Sequence, residues 1–487
     1  MSPVIERVAQ LSVDQSVVCV IGSDTMPPKL KLDGLEKEYI KRCLADKEDV
    51  ITVNSYQRIA CIVRERVDLE PVKRDEELRK AGIRVLEKLK QHKQLSVALM
   101  SHQTSVNGLY NLAEGLILGC YQFSKYKSET KKDNYSVYPE KVLIYDKETL
   151  DVDRLRTITE AVYFTRDLVN EPVNYLNAGM FARRMTEFVH QAGVTTEIYS
   201  KRKIEALKMG GLLAVNRGSP DPPTFTVMEW RPESPVNNKA IVLVGKGVVF
   251  DTGGLNLKPT DYIEEMKSDM AGGAIAAAVI YVIARLKLSY HLIALVPATD
   301  NRPGMSAFAP GDVITMFNGK TVEIQNTDAE GRLILADALS YAEKFKPELI
   351  ISIATLTGSA ANAFGNQAIA VMGNAPDHFF RLLEEAGLSQ YERVARMPFF
   401  DEYAELLKSD IADLKNIGGK EAGAITAGKF LENFVESSFI HLDIAGVSML
   451  KKDDHYRLKG GSGTGVRLLV SLLTRLSEEG ENNKRKT

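Results

Sequence analysis

The stretch AIVLVGKGVVFDTGGLNLKP, residues 240–259, sets the fold that we expect around it. It opens with five apolar residues, Ala240–Val244, a run that is typical of a strand buried on both faces of a sheet. A glycine-rich segment follows and carries Lys246, Asp251 and Lys258. The stretch therefore predicts a buried strand that delivers ionisable side chains to the loop after it.

Similar apolar runs recur further along the chain and alternate with helical patterns. They lie at Leu292–Pro297, Leu349–Ile353 and Ile440–Ile444. This alternation predicts an α/β fold in which a mixed, mostly parallel sheet is covered by helices. In such sheets ligands bind beyond the carboxyl ends of the strands, so the loops after these runs are where we expect a site.

The length of 487 residues exceeds what one hydrophobic core usually supports, and it favours two domains. We expect a smaller N-terminal α/β domain in residues 1–165, ending in a connecting helix over Asp153–Leu168. The Asn-Glu-Pro sequence at 170–172 ends that helix, because a residue before proline avoids helical geometry. A larger catalytic domain is expected over 170–475, and the polar residues 476–487 are expected to be a disordered tail.

Composition argues for an ordinary globular protein without an acidic or basic bias. The chain has 62 basic and 64 acidic residues, so nucleic acid is a possible partner that the net charge does not indicate. The N-terminus has no signal-peptide pattern, and we identified no apolar stretch of the length needed to span a membrane. The four cysteines have no C-x-x-C spacing and are expected to be reduced. Together these features predict a cytoplasmic protein that does not use a membrane.

Two further loops carry carboxylates next to glycines. Asp269 lies in MKSDMAGGA (266–274), and Asp328 and Glu330 lie in NTDAEGRL (326–333). If the loop 326–333 were extended, Asp328, Glu330 and Arg332 would point to one face, because alternate residues of an extended backbone share a face. Buried carboxylates without a partner would destabilise the fold by several kcal/mol, and a pair of divalent ions about 3.5 to 4 Å apart removes that difficulty.

Oxygen ligands suit Mn²⁺, Mg²⁺ or Zn²⁺, and the four carboxylates, including Asp251, are enough for two ions. A single Asp in a glycine-rich turn is usually only a turn residue. It is the occurrence of such residues in three loops of one sheet domain that favours a metal site. The dispersed histidines form no H-E-x-x-H helix, and Gly358-Ser359 lacks the pattern around a nucleophilic serine.

At these motifs the chain resembles the leucyl aminopeptidases, or cytosol aminopeptidases, which are hexameric dinuclear metallopeptidases. The octapeptide NTDAEGRL (326–333) matches the family signature without a substitution, and the first two loops match as well. The resemblance extends over about residues 150–470. It implies release of the N-terminal residue, with an apolar, leucine-like side chain preferred, from peptides with a free N-terminus.

The resemblance also implies a role for each site residue. One metal would be held by Asp251, Asp328 and Glu330, and the other by Lys246, Asp251, Asp269 and Glu330. Lys258 would polarise the scissile carbonyl, and Arg332 would hold a bicarbonate ion as general base for a water that bridges the metals. The substrate-binding positions implied in the same way are Met266, Asn326, Thr355, Gly358 and Ala445.

Three functional hypotheses remain open at this stage. The first is the metal-dependent aminopeptidase, expected from the resemblance to form a homohexamer. The second is an additional DNA-binding or regulatory role of that hexamer. The third is a catalytically silent scaffold, which is disfavoured because every residue of the proposed centre is present.

Overall fold

The computed structural model describes residues 3–12, 14–25, 30–56, 58–128, 139–145 and 150–486. The chain divides into two compact units. The first contains residues 1–163 together with 452–459, and the second contains residues 164–451 and 460–487. The second chain segment of the first unit was not expected from the sequence.

The first unit is built around a six-stranded sheet with the order β1-β6-β5-β2-β4-β3. Only β3 and β4 pair antiparallel. The strands are β1 Val4–Arg7, β2 Val17–Ile21, β3 Val50–Asn54, β4 Ile59–Arg64, β5 Ser96–His102 and β6 Lys141–Ile144. The helices are α1 Gly34–Ala45, α2 Pro71–Gln91 and α3 Gly108–Gly119.

The alternation of side chains along β2 explains why this sheet is covered on both faces. Val18 and Val20 belong to a core shared with α2 and α3, whereas Cys19 and Ile21 belong to a second core shared with α1. Successive residues of a strand point to opposite faces, so both faces are apolar. All four cysteines are buried, and burial raises the pKa of Cys19 and of Cys120 to about 12.

The helix α4, Val152–Asn170, corresponds to the connecting helix expected from the sequence. The division between the two units falls within it, between Tyr163 and Phe164.

The second unit contains a nine-stranded mixed sheet. Its order is β16-β15-β18-β14-β9-β11-β8-β7, with β10 paired to β11. The pairs among β18, β14, β9 and β11 are parallel, as expected. The strands of this sheet are β7 Thr195–Tyr199, β8 Thr224–Trp230, β9 Ile241–Gly245, β10 Gly247–Asp251, β11 Leu292–Asn301, β14 Leu349–Ala354, β15 Ile369–Gly373, β16 Val394–Arg396 and β18 Phe439–Asp443.

Two small sheets complete the strands of this unit. They contain β12 Val313–Thr315, β13 Thr321–Glu323 and β17 Leu414–Lys415, and the pair β19 Met449–Leu450 and β20 Gly460–Gly461. The α-helices are α5 Ala178–His190, α6 Lys201–Ala206, α7 Gly210–Asn216, α8 Thr260–Ile263, α9 Ala271–Arg285, α10 Glu330–Ala342, α11 Gly358–Phe364, α12 Asp377–Gln390, α13 Gly423–Glu432 and α14 Val466–Lys486. Short 3₁₀ helices cover Glu264–Ser268, Glu343–Phe345 and Asp401–Leu407.

The helix α9 packs against the centre of the sheet through small residues. A Cβ at Gly272 would lie 2.0 Å from the carbonyl oxygen of Ile353 in β14, so only glycine permits this approach. The stretch Thr260–Arg285 is apolar enough, by length and composition, to cross a membrane. Because 89% of that apolar window is buried inside the protein, α9 has the character of a core helix.

The expectation of a disordered tail at 476–487 differs from the structure, in which α14 continues to Lys486. Its apolar first half, including Leu472 and Leu476, is buried. Polar residues then anchor the second half: Glu479 lies 3.1 Å from His378, and Lys484 donates to the carbonyl oxygen of Pro235 at 2.6 Å. Composition alone did not reveal these contacts between distant parts of the sequence.

Candidate metal centre

The three loops singled out in the sequence meet at the carboxyl ends of the central parallel strands. Lys246 directly follows β9, and Asp251 is the last residue of β10. Asp269 lies just before α9, and Glu330 is the first residue of α10. The sheet thereby brings side chains that are up to 84 positions apart in the sequence into one cluster within the second unit.

Residues 328–332 are not extended, so the alternation considered in the sequence analysis does not apply to them. Glu330 opens α10, and Asp328 lies in the turn before it. The side chain of Asn326 makes that turn by accepting the N–H of Asp328 at 2.8 Å. A carboxylate is stabilised in the first turn of a helix by the unpaired N–H groups there, so the two acids converge through a turn and a helix start instead of a strand.

Two lysines form ion pairs with the carboxylates of the cluster, and each lysine pairs with two of them. The Nζ of Lys246 lies 2.7 Å from Oδ2 of Asp269 and 2.8 Å from Oε1 of Glu330. The Nζ of Lys258 lies 2.8 Å from Oδ2 of Asp251 and 2.5 Å from Oδ1 of Asp328. Each ammonium therefore occupies a position between two carboxylates, as a bound cation would.

The helix start is shaped to admit Lys246. A Cβ at Gly331 would lie 2.5 Å from Cε and 2.6 Å from Nζ of Lys246. Both atoms belong to a lysine whose side chain is only 3% exposed and has little room to move aside. The glycine of the AEGR sequence is thus required for the close approach of this side chain.

The charges in the cluster strongly perturb each other. Burial raises the pKa of Asp328 to about 7, with the negative charges of Asp251 and Glu330 acting in the same direction. Burial also raises the pKa of Asp251 and of Asp269. For Glu330, Lys246 and Lys258 overcome the effect of burial and lower the pKa.

The lysines respond in the opposite sense. Burial by itself would lower the pKa of Lys246, but the carboxylates led by Asp269 and Glu330 outweigh it and raise the pKa. The pKa of Lys258 is raised for the same reason, mainly by Asp251 against the effect of burial. The cluster has four carboxylates and only two ammonium groups, so it can still attract additional positive charge.

The donor set fits divalent cations. Oxygens of Asp251, Asp328 and Glu330 lie within 4.8 Å of one another. Glu330 is 1% exposed, and its Oε2 has no hydrogen-bond partner in the part of the chain that the structure describes. A buried carboxylate oxygen without a donor is costly, and a cation coordinated by these three acids would satisfy it.

Arg332 lies in the first turn of α10 and is 7% exposed. Its NH1 donates to the carbonyl oxygen of Asn416 at 2.7 Å, and its Nε has no partner among the described residues. Burial lowers the pKa of Arg332 to about 10, opposed by Glu330 and Asp443. The guanidinium therefore retains a donor for an anion.

The residues predicted to bind substrate lie in segments that contact this cluster. Thr355 donates its hydroxyl to Asp269 at 2.7 Å, and Asn326 supports Asp328 as described above. The N–H of Asp269 bonds to the carbonyl oxygen of Met266 at 3.3 Å. Gly358 opens α11, and a Cβ there would meet no heavy atom within 4 Å.

The loop that carries Ala445 is held by Asp443, whose pKa burial raises. One oxygen of this carboxylate accepts the N–H groups of Leu356 and Ala445 at 3.1 and 3.2 Å, and the other accepts the hydroxyl of Thr357 at 2.7 Å. Asp443 therefore ties the segment 355–358 to the segment 443–445.

Comparison with known proteins agrees with this geometry. Residues 163–470 match the catalytic domain of the cytosol aminopeptidase family. The chain belongs to the cytosol aminopeptidase family. Its similarity to individual members is substantial: it is 46% identical over 374 residues to a probable cytosol aminopeptidase of Chlorobium phaeobacteroides, which covers 74% of each chain. It is 44% identical over 370 residues to one of Geobacter sulfurreducens, again covering 74% of each chain.

A solved structure has a similar fold. The bottromycin maturation enzyme BotP in complex with Mn has a TM-score of 0.82 and 27% identity to this chain. The match covers 96% of this chain and 100% of BotP. As a member of the cytosol aminopeptidase family, the protein is a metal-dependent aminopeptidase, and the fold class expected from the sequence is confirmed.

Sequence reasoning missed several polar residues that hold the loops of this aminopeptidase together. Thr327 and Asn256 bond reciprocally, since the N–H of each is accepted by the side chain of the other at 2.8 Å. Asn416 accepts the N–H of Gln325 at 2.8 Å and donates to the carbonyl oxygen of Asn326 at 2.7 Å. Neutral residues in loops are not distinguished by their charge. Of these residues, only Thr327 could have been noticed in the sequence, because Asn326-Thr327 directly precedes Asp328.

Proposed function

We propose that this aminopeptidase releases apolar, leucine-like residues from the N-terminus of peptides by means of two divalent ions, Mn²⁺ or Zn²⁺, with Mg²⁺ as a further candidate. The observation that carries the proposal is the cluster of Asp251, Asp328 and Glu330 beside Lys246 and Asp269. One ion would be held by Asp251, Asp328 and Glu330; the other by Lys246, Asp251, Asp269 and Glu330.

When bound, the two ions would supply Lewis-acid chemistry that activates the attacking water, and they would offer a binding position for the free amine of the substrate. For Lys246 to act as a ligand its ammonium must lose a proton. Its pKa is raised by the same carboxylates that would hold the ions, so binding of the metal and release of this proton are coupled.

Lys258 would act on the substrate. Its ammonium contacts Asp251 and Asp328 and its side chain is 15% exposed, more than that of Lys246. A cation at this position can polarise the scissile carbonyl and stabilise the negative charge that develops on its oxygen. A lysine side chain is ordinarily an ammonium at neutral pH, so the role needs no further activation.

Arg332 would hold bicarbonate, which would serve as the general base for the water. Support comes from the unpartnered Nε of a buried guanidinium next to Glu330. Removing bicarbonate from the buffer should lower turnover of the wild type, and adding it back should restore it. An Arg332→Ala variant should be slow and insensitive to bicarbonate.

Met266, Asn326, Thr355, Gly358 and Ala445 would contact the N-terminal side chain of the substrate. The open space over Gly358 favours room for a side chain there. We further propose a homohexamer in the cytosol, on the basis of the family resemblance. The DNA-binding alternative has no specific contact in its favour.

A chelation and rescue assay tests the function. Leucine p-nitroanilide should be hydrolysed by the metal-loaded protein, hydrolysis should stop after chelation, and Mn²⁺ or Zn²⁺ should restore it. N-acetyl-leucine p-nitroanilide should not be a substrate, because its amine is blocked. Glu330→Gln should lose both bound metal and activity, whereas the control Glu264→Gln, at an exposed position, should retain both. Activity that survives complete removal of metal would overturn the proposal.

A further inference from the structure

Asn301 is the last residue of β11 and its side chain is fully buried between two of the loops that carry the proposed ligands. Its main chain is fixed to the first loop, because its carbonyl oxygen accepts the N–H of Thr252 at 3.0 Å and the hydroxyl of Thr252 at 2.8 Å. The position of its side chain is therefore set by the sheet.

The side-chain amide of Asn301 joins the first loop to the third. Its Nδ2 donates to Oδ1 of Asp251 at 2.8 Å and to the carbonyl oxygen of Thr327 at 3.0 Å. Both partners accept only, so the amide nitrogen and not the oxygen must face them. The amide of Asn301 thus connects two loops that are distant in sequence by donating two hydrogen bonds.

The other end of the amide is confined as well. The Oδ1 of Asn301 has no hydrogen-bond partner among the residues that the structure describes, and a Cβ at Gly254 would lie 2.8 Å from it. Gly254 also has a φ of +66°, which favours glycine. The backbone of the first loop therefore closes over the amide and holds it in place.

This contact decides which oxygen of Asp251 is available. Oδ1 accepts two N–H groups, from Gly253 at 2.8 Å and from Asn301. Oδ2 is left on the side of Lys258, within the carboxylate cluster. The hydrogen bond to Thr327 at the same time fixes the residue next to Asp328. The orientation of Asp251 and the location of Asp328 therefore depend on the same amide.

We propose that Asn301 is a positioning residue for the metal centre, which presents Asp251 and Asp328 to the ions in a fixed geometry. The inference rests on the proposed function, because it assumes that these two acids bind metal. Partners that orient metal ligands typically contribute about 10- to 100-fold in metal affinity. Asn301 is fully buried and its amide hydrogen bonds go to Asp251 and Thr327, so its effect should pass through the metal.

The test replaces Asn301 by leucine, which has the same branching at Cγ and lacks both N–H donors. Asn237→Leu is the matched control: Asn237 is also buried, and its Nδ2 donates to the carbonyl oxygens of Lys239 and His291 at 2.8 and 3.0 Å, but no proposed ligand is involved. The Mn²⁺ affinity of each full-length protein is measured by competition with a fluorescent chelator, together with the melting temperature and the dependence of turnover on Mn²⁺.

Asn301→Leu should bind Mn²⁺ about 10- to 100-fold more weakly than the wild type. Its activity curve should move to higher Mn²⁺ by the same factor, with the KM for peptide at saturating Mn²⁺ unchanged. Asn237→Leu should lower the melting temperature and leave the affinity as it is. Equal Mn²⁺ affinity in the wild type and Asn301→Leu would overturn the proposal.

A second variant keeps the test decisive if Asn301→Leu does not fold. Asn256 is exposed, and its side chain accepts the N–H of Thr327 from the outer side of the same two loops. Asn256→Ala should weaken Mn²⁺ binding in the same direction, and an unchanged affinity would count against the positioning of Asp328 through Thr327. A wild type that binds none of Mn²⁺, Zn²⁺ and Mg²⁺ would refute the proposed function itself, which is a different result from equal Mn²⁺ affinities in the wild type and Asn301→Leu.

Discussion

At the scale of single residues, the two lysines of the metal centre have similar surroundings and different proposed roles. Each ammonium contacts two carboxylates, yet Lys246 is packed against the start of α10 and Lys258 is the more exposed. The side chain of Lys246 is 3% exposed and that of Lys258 is 15% exposed. This difference supports the proposal that Lys246 binds metal and that Lys258 acts on the substrate.

This assignment predicts opposite results for two alanine variants. Lys258→Ala should retain nearly wild-type metal content and lose about 10²- to 10³-fold in turnover, because it removes one group that stabilises the transition state. Asp269→Ala should lose metal, since it removes a carboxylate that is 4% exposed and contacts Lys246 at 2.7 Å. Elemental analysis of the purified variants, combined with kcat for leucine p-nitroanilide, separates the two effects. If Lys258→Ala emptied the site, the division of roles would be wrong.

The limits of sequence reasoning are clearest at this scale. The carboxylates could be found because acids beside glycines in three loops of one sheet are an unusual combination. Their geometry could not: an extended loop was considered for Asp328 and Glu330, and Glu330 is the first residue of a helix. Asn301 could not be found at all, since a neutral amide at the end of an apolar strand becomes informative only when its partners on other loops are known.

At the scale of secondary-structure elements, β14 and β18 are joined by a buried polar pair as well as by their backbone. Ser352 and His441 are register partners, and Oγ lies 2.7 Å from Nδ1. The Nε2 of His441 has no partner among the described residues, and the residue is fully buried. Burial, assisted by the positive charge of Arg332, lowers the pKa of His441 to about 3.

The lowered pKa predicts a contribution to acid unfolding. Above the unfolded-state pKa of about 6.5, His441 is neutral in both states and contributes no pH dependence. As the pH falls from there towards 3, the unfolded chain takes up a proton that the folded chain resists, so stability is lost by up to about 1.4 kcal/mol per pH unit. His441→Leu should have a correspondingly shallower pH dependence of the free energy of unfolding between pH 6.5 and 4.

Ser352→Ala provides the control for this pair. It removes the same contact but keeps the titrating imidazole, so it should be less stable than the wild type at every pH with the wild-type slope. Urea unfolding at several pH values measures all three proteins. Parallel plots of the free energy of unfolding against pH for the wild type and His441→Leu would mean that His441 is protonated in the folded protein over this pH range.

The elements themselves were predictable where their cause is local. The apolar runs that became β9, β11, β14 and β18 lie within a few residues of their expected bounds, because a strand buried on both faces needs an unbroken apolar sequence. The end of α14 was missed, since its polar residues are held by His378 and by the carbonyl oxygen of Pro235, which are far away in the sequence.

At the scale of the whole molecule, the two units differ in how they are assembled from the chain. The proposed ligands all belong to the second unit, whereas the first unit is completed by residues 452–459, which lie between β19 and β20. Within the first unit Tyr456 is fully buried, and its hydroxyl donates to Glu76 at 2.8 Å. Glu76 is itself 1% exposed, so this carboxylate depends on buried partners.

This division predicts that the first unit can be weakened without disturbing the metal centre. The pairing of Leu450 with Gly460 allows residues 451–459 to be replaced by Asn-Gly, which forms the tight turn of a hairpin. The replacement removes Tyr456, and the loss of its hydrogen bond to a charged group alone should cost the first unit about 1.5 to 3 kcal/mol. Hydrogen exchange in β2 and β5 should therefore become faster, with Mn²⁺ affinity unchanged.

Tyr456→Phe, which keeps the ring and removes only the hydroxyl, should give a smaller acceleration. Unchanged exchange in these strands would mean that residues 452–459 do not stabilise the first unit, and a fall in Mn²⁺ affinity would mean that the metal centre depends on more than the second unit.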